Sequence, residues 1–488
     1  MSQSSQQSFI FPITPEPTAV SLFANHEQQA TTDHQLAARY APILQFDALE
    51  PFLPSVVGYT IFRESQPSTS FPRQIELGED GVVVAIEYAI WWDWDIQHLY
   101  ELEHVWVYLD GNGRVVQAEA SWHGGYHDMA VDGVLPMTEE RLTLFSESGK
   151  HAFAPSRRWL EARASVTANA CTRYAGVGGV WITPLFKELI QISPLADRLV
   201  HTHLERLAFE PSLNFSKTFA ISSKMLIPWA TLFEWIPQRV AWWVAELERT
   251  IPPAERRVLR IAHRGASLVA PPSSVAAIAK AAELGADMVE LDVQMCADSI
   301  PVISHPADIR RLGQDIFSLT ELTLPEIKAI DLGGGETILT LDEAITCCQE
   351  HGVGLYLELK GNWVVEPVVK AIQEGDLYRQ IMVGSFRPDW VADVKTMDAD
   401  IVTSILFNST TMDAVALAQA VGATYVHPCW ERQATEPHKL LTLEWIQRVR
   451  EARLGIICWH EERPFEIAAL QQLGVDGICS DAPELLKV

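Results

Sequence analysis

Along the second half of the chain, short apolar runs alternate with stretches of about 12 residues that have helical periodicity. Strands that alternate with helices are typical of βαβ units and of a parallel sheet. The alternation predicts an α/β TIM barrel over residues 251–488. The apolar runs are Leu259–Ala262, Met288–Val293, Pro301–Ser304, Gly354–Leu359, Ile381–Ser385, Ile401–Leu406, Thr424–Val426, Gly455–Trp459 and Gly477–Cys479.

There are nine runs, one more than a closed eight-stranded barrel needs. Pro301–Ser304 is the best candidate for an extra arm, because only Asp298 and Ser299 separate it from the strand that begins at Met288. That spacing predicts a hairpin, since a parallel crossover needs a dozen or more residues. With Asp298-Ser299 as a two-residue turn, Asp292 is expected to face His305.

The first half has a different pattern. Val82–Trp92 has the alternation and the Val, Ile and Tyr content of a β-strand. A strong hairpin signal, Asp110-Gly111-Asn112-Gly113, lies between the predicted strands Glu103–Leu109 and Arg114–Ser121. These features predict a β-rich α+β accessory domain of unknown function over residues 31–250, after a flexible Ser- and Gln-rich tail over residues 1–30. The segment Ile251-Pro252-Pro253 predicts the linker to the barrel.

The charge balance restricts the partners. The 63 acidic and 37 basic residues give a net charge of −26, which is spread over both halves. Nucleic-acid binding needs a basic footprint, so no nucleic-acid partner is expected. The beginning of the chain lacks the pattern of a signal peptide. The sequence has no apolar stretch of about 20 residues, so no integral membrane segment is expected. The seven cysteines form no C-x-x-C pair, which favours a reducing, cytoplasmic compartment. The sequence leaves the oligomeric state open.

Acidic side chains and a histidine converge in the predicted hairpin. Glu290 and Asp292 are two residues apart and share one face of their strand, and His305 is expected opposite. Glu358 provides a third carboxylate near the end of another predicted strand, close to Lys360. Oxygen-rich clusters of this kind suit a hard divalent cation, Mg²⁺ or Ca²⁺.

A second histidine follows the first predicted strand. His263 and Arg264 stand there just before Gly265, and strand ends of a barrel lie on one rim, where active sites form. Two histidines, three carboxylates, an arginine and a lysine around one point suit phosphodiester chemistry. A cation and basic side chains stabilise charge on phosphoryl oxygens, while two imidazoles exchange protons with the nucleophile and the leaving alkoxide.

Five segments resemble the glycerophosphodiester phosphodiesterase family over about residues 258–488. The family resemblance implies metal-dependent hydrolysis of a small-molecule glycerophosphodiester to glycerol 3-phosphate and an alcohol. It further implies that Glu290, Asp292 and Glu358 bind metal, that His263 and His305 are the catalytic acid/base pair, and that Arg264, Lys360 and Trp459 bind substrate. The segments are Ile261-Ala262-His263-Arg264-Gly265-Ala266, Val289-Glu290-Leu291-Asp292-Val293, Pro301-Val302-Ile303-Ser304-His305, Leu357-Glu358-Leu359-Lys360 and Gly474-Val475-Asp476-Gly477.

The sequence departs from the family pattern at two places. Pro271-Pro272-Ser273-Ser274 replaces the family's Pro-Glu-Asn-Thr, and Pro306 replaces an aspartate after the second histidine. Weakened or altered activity is therefore expected. Two alternatives stay open. The barrel binds phosphodiesters without turnover, or the barrel is a scaffold and the N-terminal domain carries the activity.

In the first half, His104, Glu119 and His123 form a second candidate metal site. With Gly111-Asn112 as the turn, His104 is expected to face Glu119, with His123 on the same face. The competing interpretation is a hydrogen-bonded polar seam below aromatic residues, and the sequence favours it. Asp481, after the last predicted strand, is interpreted as a helix N-cap.

Overall fold

The protein is represented by a computed structural model that describes residues 16–17, 32–78, 81–305, 308–310 and 316–487. The tail predicted over residues 1–30 lies outside this part of the chain, apart from residues 16–17. The described chain divides into two compact units. The first comprises residues up to 192 together with 199–250, and the second comprises residues 193–198 and 251 onwards.

The first unit is β-rich, as the sequence predicts, and its longest strands, Val82–Trp94 and His98–Asp110, have 13 residues each. Its strands are β1 (Ile43–Phe46), β2 (Val56–Phe62), β3 (Gln66–Pro67), β4 (Gln74–Ile75), β5 (Val82–Trp94), β6 (His98–Asp110), β7 (Val115–Trp122), β8 (Gly125–Asp128), β9 (Met137–Thr138), β10 (Arg141–Ser146), β11 (Phe153–Ala154), β12 (Gly179–Val180), β13 (Lys217–Ala220) and β14 (Leu226–Pro228). The helices of residues 32–250 are α1 (Thr32–Tyr40), α2 (Arg157–Glu161), α3 (Ala164–Cys171), α4 (Pro194–Glu205) and α5 (Trp229–Thr250).

Two sheets make up most of this unit. The larger has the order β14-β2-β5-β6-β7-β8, with β12 paired to β6, and the smaller has the order β11-β10-β1-β13, with β9 paired to β10. β5 and β6 supply Trp91, Trp92 and Trp106, which are fully buried. Burial of such large side chains is a main source of folding free energy.

The predicted register of the first hairpin is wrong by two residues. Trp106 faces Glu119, and His104 lies opposite Ser121 rather than Glu119. The loop has three residues between Asp110 and Arg114 instead of two, with Gly113 in the left-handed region at φ 75°. A further register shift follows between Tyr108 and Leu109. The strand signal fixes neither of these details, because each depends on local turn geometry.

The second unit contains a closed barrel, which confirms the predicted TIM-barrel fold. Among the described residues, eight parallel strands pair in the order β15-β27-β26-β25-β24-β23-β22-β16, and β15 closes onto β16. They are β15 (Leu259–His263), β16 (Met288–Met295), β22 (Gly354–Leu359), β23 (Ile381–Ser385), β24 (Val402–Phe407), β25 (Tyr425–Pro428), β26 (Gly455–Cys458) and β27 (Gly477–Ser480).

The helices of the barrel begin and end at local sequence signals. Thr340 and Glu343 form a capping box at the start of α8, and Gly352 ends that helix with φ 62°. The helices of this unit are α6 (Val275–Glu283), α7 (Leu324–Lys328), α8 (Leu341–His351), α9 (Val365–Glu374), α10 (Pro388–Met397), α11 (Ala414–Val421), α12 (Leu443–Glu451) and α13 (Pro464–Leu473). No helix in the described part of the chain is both long and apolar enough to cross a membrane.

The ninth run is an antiparallel arm, as predicted: β17 (Pro301–Ile303) pairs with the end of β16. The predicted register is wrong by one residue, because Val293 faces Ile303 and Asp292 therefore lies opposite Ser304, not His305. The turn has three residues, and Ser299 adopts φ 60°. Three further pairs of short strands complete the description: β3 with β4 in the first unit, then β18 (Asp308–Arg310) with β19 (Ile316–Ser318) and β20 (Asp331–Gly333) with β21 (Glu336–Thr337).

Candidate active site at the carboxyl end of the barrel

Three carboxylates meet inside the barrel wall. Glu290 and Asp292 project from β16, and Glu358 projects from the neighbouring strand β22, where the register places it beside Asp292. One oxygen of each lies within 4.8 Å of the others, and all three residues are buried. Because side chains alternate along a strand, Glu290 and Asp292 lie on the same face of β16. Glu358 lies on that face too, because it pairs with Asp292 in the neighbouring strand. These are the residues for which the sequence predicts metal binding.

Burial and mutual repulsion make this cluster costly without a cation. Loss of solvation raises the pKa of Glu290 well above its usual value, and the charges of Asp292 and Glu358 raise it further. Burial also raises the pKa of Glu358 to about 7, against the opposing effect of Lys360. Moving an ionised carboxylate out of water is unfavourable unless it is paired. The cluster therefore has the electrostatic character of a cation site.

Two basic side chains compensate part of this charge. The Nζ atom of Lys360 lies 3.0 Å from Asp292 and 3.3 Å from Glu358, and the Nε atom of Arg264 lies 3.5 Å from Asp292. Arg264 adopts φ 56°, and its backbone N–H donates to Glu290 at 3.2 Å. The structure thus places both predicted phosphate-binding residues at the carboxylate cluster.

His263 occupies the end of β15, next to this cluster. Its Nε2 atom lies 4.0 Å from Glu290, and its Nδ1 atom lies 2.6 Å from Asp481. Burial lowers the pKa of His263, and Asp481 acts in the opposite direction. A buried imidazole with a lowered pKa is neutral at pH 7, which is the form that accepts a proton.

His305 follows β17 and is exposed. Partial loss of solvation lowers its pKa to about 4, and Asp292, Lys360, Arg264 and His263 all influence it electrostatically. These influences indicate that His305 lies near the carboxylate cluster, although its register differs from the prediction. Pro306, one of the two departures from the family pattern, lies outside the described residues.

The other departure, Pro271-Pro272-Ser273-Ser274, forms the loop before α6. Ser274 caps that helix, because its side chain accepts from the backbone N–H of Ala277 at 3.1 Å. Ser273 adopts φ 60° and donates its backbone N–H to the carbonyl of Arg264 at 2.9 Å. The loop thus supports the backbone of Arg264.

Trp459 lies at the carboxyl end of β26 and contacts His263, with ring centroids 4.6 Å apart at an angle of 73°. His460 stacks on His263, with centroids 4.8 Å apart and planes inclined by 18°. The sequence predicts Trp459 at this site, but it does not predict His460 there and assigns Asp481 to a helix cap. Closure of the barrel is the signal that identifies Asp481, because the last strand must pair with the first and so brings Asp481 beside His263.

The candidate site in the first unit is not assembled as a cluster. His104 contacts Ser70 at 3.0 Å, Glu119 pairs with Arg73 at 2.7 Å, and His123 pairs with Glu147 at 2.7 Å. Burial lowers the pKa of His104 to about 3. Each residue has a different protein partner, which is the arrangement of a polar seam.

Among the described residues, two further groups have metal-ligand spacing: Asp95 with His98 and Glu101, and His263 with His460 and Asp481. In the first, the ammonium group of Lys150 already lies 2.6 Å from Asp95. Each group therefore has charged or hydrogen-bonded partners from the protein itself.

The second unit thus combines a closed (β/α)₈ barrel with a polar cluster at the carboxyl ends of its strands. Residues 263–485 match the model of the glycerophosphoryl diester phosphodiesterase family. This part of the chain therefore belongs to that family, and it is a phosphoric diester hydrolase domain.

Individual proteins are similar to the same part of the chain. A glycerophosphodiester phosphodiesterase of Caldanaerobacter subterraneus is 28% identical over 242 residues, which cover 47% of this chain and 96% of that protein. Human glycerophosphodiester phosphodiesterase 1 is 32% identical over 161 residues, which cover 30% of this chain and 49% of the human protein. A solved glycerophosphodiester phosphodiesterase from Agrobacterium tumefaciens is 21% identical, covers 46% of this chain and 97% of its own, and has a TM-score of 0.41.

Proposed function

We propose that the barrel hydrolyses glycerophosphodiesters to glycerol 3-phosphate and an alcohol in a reaction that depends on a divalent cation. The observation that carries the proposal is the buried cluster of Glu290, Asp292 and Glu358 between two basic side chains and two histidines. Family membership of residues 263–485 supplies the reaction class.

The residues present fit a hard cation. Glu290 Oε1 and Glu358 Oε2 are buried and have no hydrogen-bond partner among the described residues. Buried carboxylate oxygens of this kind normally bind a cation or accept hydrogen bonds. Mg²⁺ or Ca²⁺ bound to these three carboxylates would supply positive charge to the phosphoryl oxygens.

The remaining steps belong to side chains of the chain itself. Arg264 and Lys360 bind the phosphoryl group, and Trp459 borders the substrate beside His263. One of the two histidines, His263 or His305, accepts the proton of the attacking water, and the other donates a proton to the leaving alkoxide. The negative charge of the bound phosphodiester would raise the pKa of the histidine that donates and so favour its protonated form. One P–O bond forms as the other breaks, and glycerol 3-phosphate and the alcohol leave.

The test is release of glycerol 3-phosphate from glycerophosphocholine with Mg²⁺ or Ca²⁺ by the full chain. His263→Ala and Glu290→Gln are each expected to lower kcat by about 10²-fold or more, the usual contribution of a positioned acid/base group or charge-stabilising group. Glu283→Gln is the matched control, because Glu283 is an exposed carboxylate of the same unit that pairs with Lys280. Binding of the phosphodiester without product under every divalent cation would reject hydrolysis in favour of the non-catalytic alternative.

A further inference from the structure

Closure of the barrel brings an aspartate to the histidine at the end of the first strand. Ala262 in β15 pairs with Ser480 in β27, so that the next residues, His263 and Asp481, stand side by side. Asp481 Oδ1 lies 2.6 Å from the Nδ1 atom of His263 and also accepts from the hydroxyl of Ser267 at 2.8 Å.

This contact fixes the position of the proton on His263. The hydrogen bonds from His263 and Ser267 lower the pKa of Asp481 to about 2, despite partial burial. An ionised carboxylate only accepts hydrogen bonds, so Nδ1 must donate and Nε2 carries the lone pair of the neutral imidazole. Nε2 is buried, has no hydrogen-bond partner among the described residues, and lies 4.0 Å from Glu290 on the carboxylate side of the ring.

Neighbouring groups hold the same arrangement in place. His460 covers one face of the His263 ring, and Trp459 contacts it at a steep angle. Glu462 accepts from the backbone N–H of Asp481 at 2.9 Å and also contacts Nδ1 of His460 at 3.0 Å. The carboxylate and the ring are therefore both restrained, which is what precise proton transfer requires.

Asp481 does not act as the helix cap that its place in the sequence indicates. The short helix Pro483–Leu486 begins after Ala482 and has no side-chain cap. The hydrogen bonds of the Asp481 side chain go to His263 and Ser267 instead. The interpretation of Asp481 as an N-cap is wrong, because strand closure gives its carboxylate a closer donor.

We propose that Asp481 is a positioning residue for His263, which holds the proton on Nδ1 and directs the lone pair of Nε2 toward the substrate. This inference rests on the proposed function and deepens it. In this role Asp481 acts through the tautomer and orientation of the imidazole, since its side-chain carboxylate contacts His263 and Ser267.

The experiment compares Asp481→Ala and the isosteric Asp481→Asn with wild type in the full chain, using glycerophosphocholine and Mg²⁺ or Ca²⁺. The expected result for Asp481→Ala is a loss of kcat of about 10²-fold, the lower end for a positioned acid/base group, with KM changed by less than about threefold. Asp413→Asn is the control, because Asp413 is a helix-capping aspartate of the same unit. It is expected to leave kcat unchanged.

A second readout does not depend on turnover. In protein with ¹⁵N-labelled histidine, His263 of wild type is expected to carry its proton on Nδ1, whereas in Asp481→Ala a substantial fraction moves to Nε2. Asp481→Asn keeps the volume of the side chain and gives the same readouts if the alanine variant does not fold. Unchanged kcat in a folded variant, or a His263 proton that stays wholly on Nδ1 in Asp481→Ala, overturns the proposal. If wild type itself forms no product, the proposed function fails, while the tautomer measurement still decides the role of Asp481.

Discussion

Replacing Glu358 by glutamine removes one charge from the crowded carboxylates and leaves the shape of the side chain almost unchanged. Glu358 is 2% exposed, and its pKa is raised from 4.5 to about 7 by burial and by Asp292. Because the pKa is higher in the folded than in the unfolded protein, ionisation of Glu358 opposes folding. The cost is nearly absent below pH 4, grows as the pH rises above 4.5, and levels off above about pH 7.

The size of this cost follows from the difference between the pKa of Glu358 in the folded and in the unfolded protein. A difference of about 2.5 pKa units corresponds to about 3 kcal/mol in the free energy of unfolding. Metal-free Glu358→Gln is therefore expected to be more stable than wild type by about 3 kcal/mol at pH 8, and equally stable at pH 4. For a domain of this size that free energy is about 6–12 °C in Tm.

The assay is thermal unfolding in EDTA at a series of pH values, repeated with Mg²⁺ and with Ca²⁺. Wild type is expected to regain stability with a divalent cation, since the bound ion offsets the repulsion, and Glu358→Gln is expected to gain less. Glu374→Gln is the control, because Glu374 is an exposed residue that pairs with Lys370 at 3.7 Å. Surface pairs contribute about 0–1 kcal/mol. A stability difference between Glu358→Gln and wild type that does not change between pH 4 and pH 8 would refute the reasoning.

Two further predictions concern Lys360 and Arg73. Lys360→Met is expected to raise KM for glycerophosphocholine about 10-fold or more, because the variant loses an ammonium group that binds the phosphoryl group. Divalent-cation binding is not expected to weaken, because this ammonium group contacts Asp292 and Glu358 and repels a cation there. Weaker cation binding in a calorimetric titration would contradict this role. Arg73→Met is expected to lower the free energy of unfolding by about 3–5 kcal/mol, because Glu119 loses the partner with which it shares a nearly buried ion pair. Arg73→Met combined with Glu119→Gln is expected to recover much of that loss in urea denaturation, and an equal loss in the double variant would argue against the ion pair.

The strands of the barrel, and the proximity of the side chains at the candidate site, are the parts that the sequence predicts well. Apolar runs bounded by helical stretches mark strands buried on both faces, and alternation within a strand places Glu290 and Asp292 together. The carboxyl ends of parallel strands share one edge, which adds Glu358 and His263 without knowledge of the loops.

The register of both hairpins and the role of Asp481 could not be predicted in the same way. A residue in the left-handed region, Ser299 or Gly113, turns an expected two-residue loop into three and shifts every pair beyond it. His104 and Glu119 thereby lose their predicted pairing, and Ser70 and Arg73 become their partners. Asp481 depends on contact between the first and last strands, which the local pattern does not describe.

One divalent cation is expected to bind between Glu290, Asp292 and Glu358. The decisive test uses crystals of the full chain soaked in Mn²⁺ as a substitute for Mg²⁺, because the anomalous scattering of Mn²⁺ distinguishes the metal from water and from the atoms of the protein. A single strong peak is expected at about 2.0–2.6 Å from an oxygen of each carboxylate, and this peak is expected to be lost in Glu290→Gln. A peak only at Asp95, His98 and Glu101, or no peak at the carboxylates in crystals that diffract well, would contradict it.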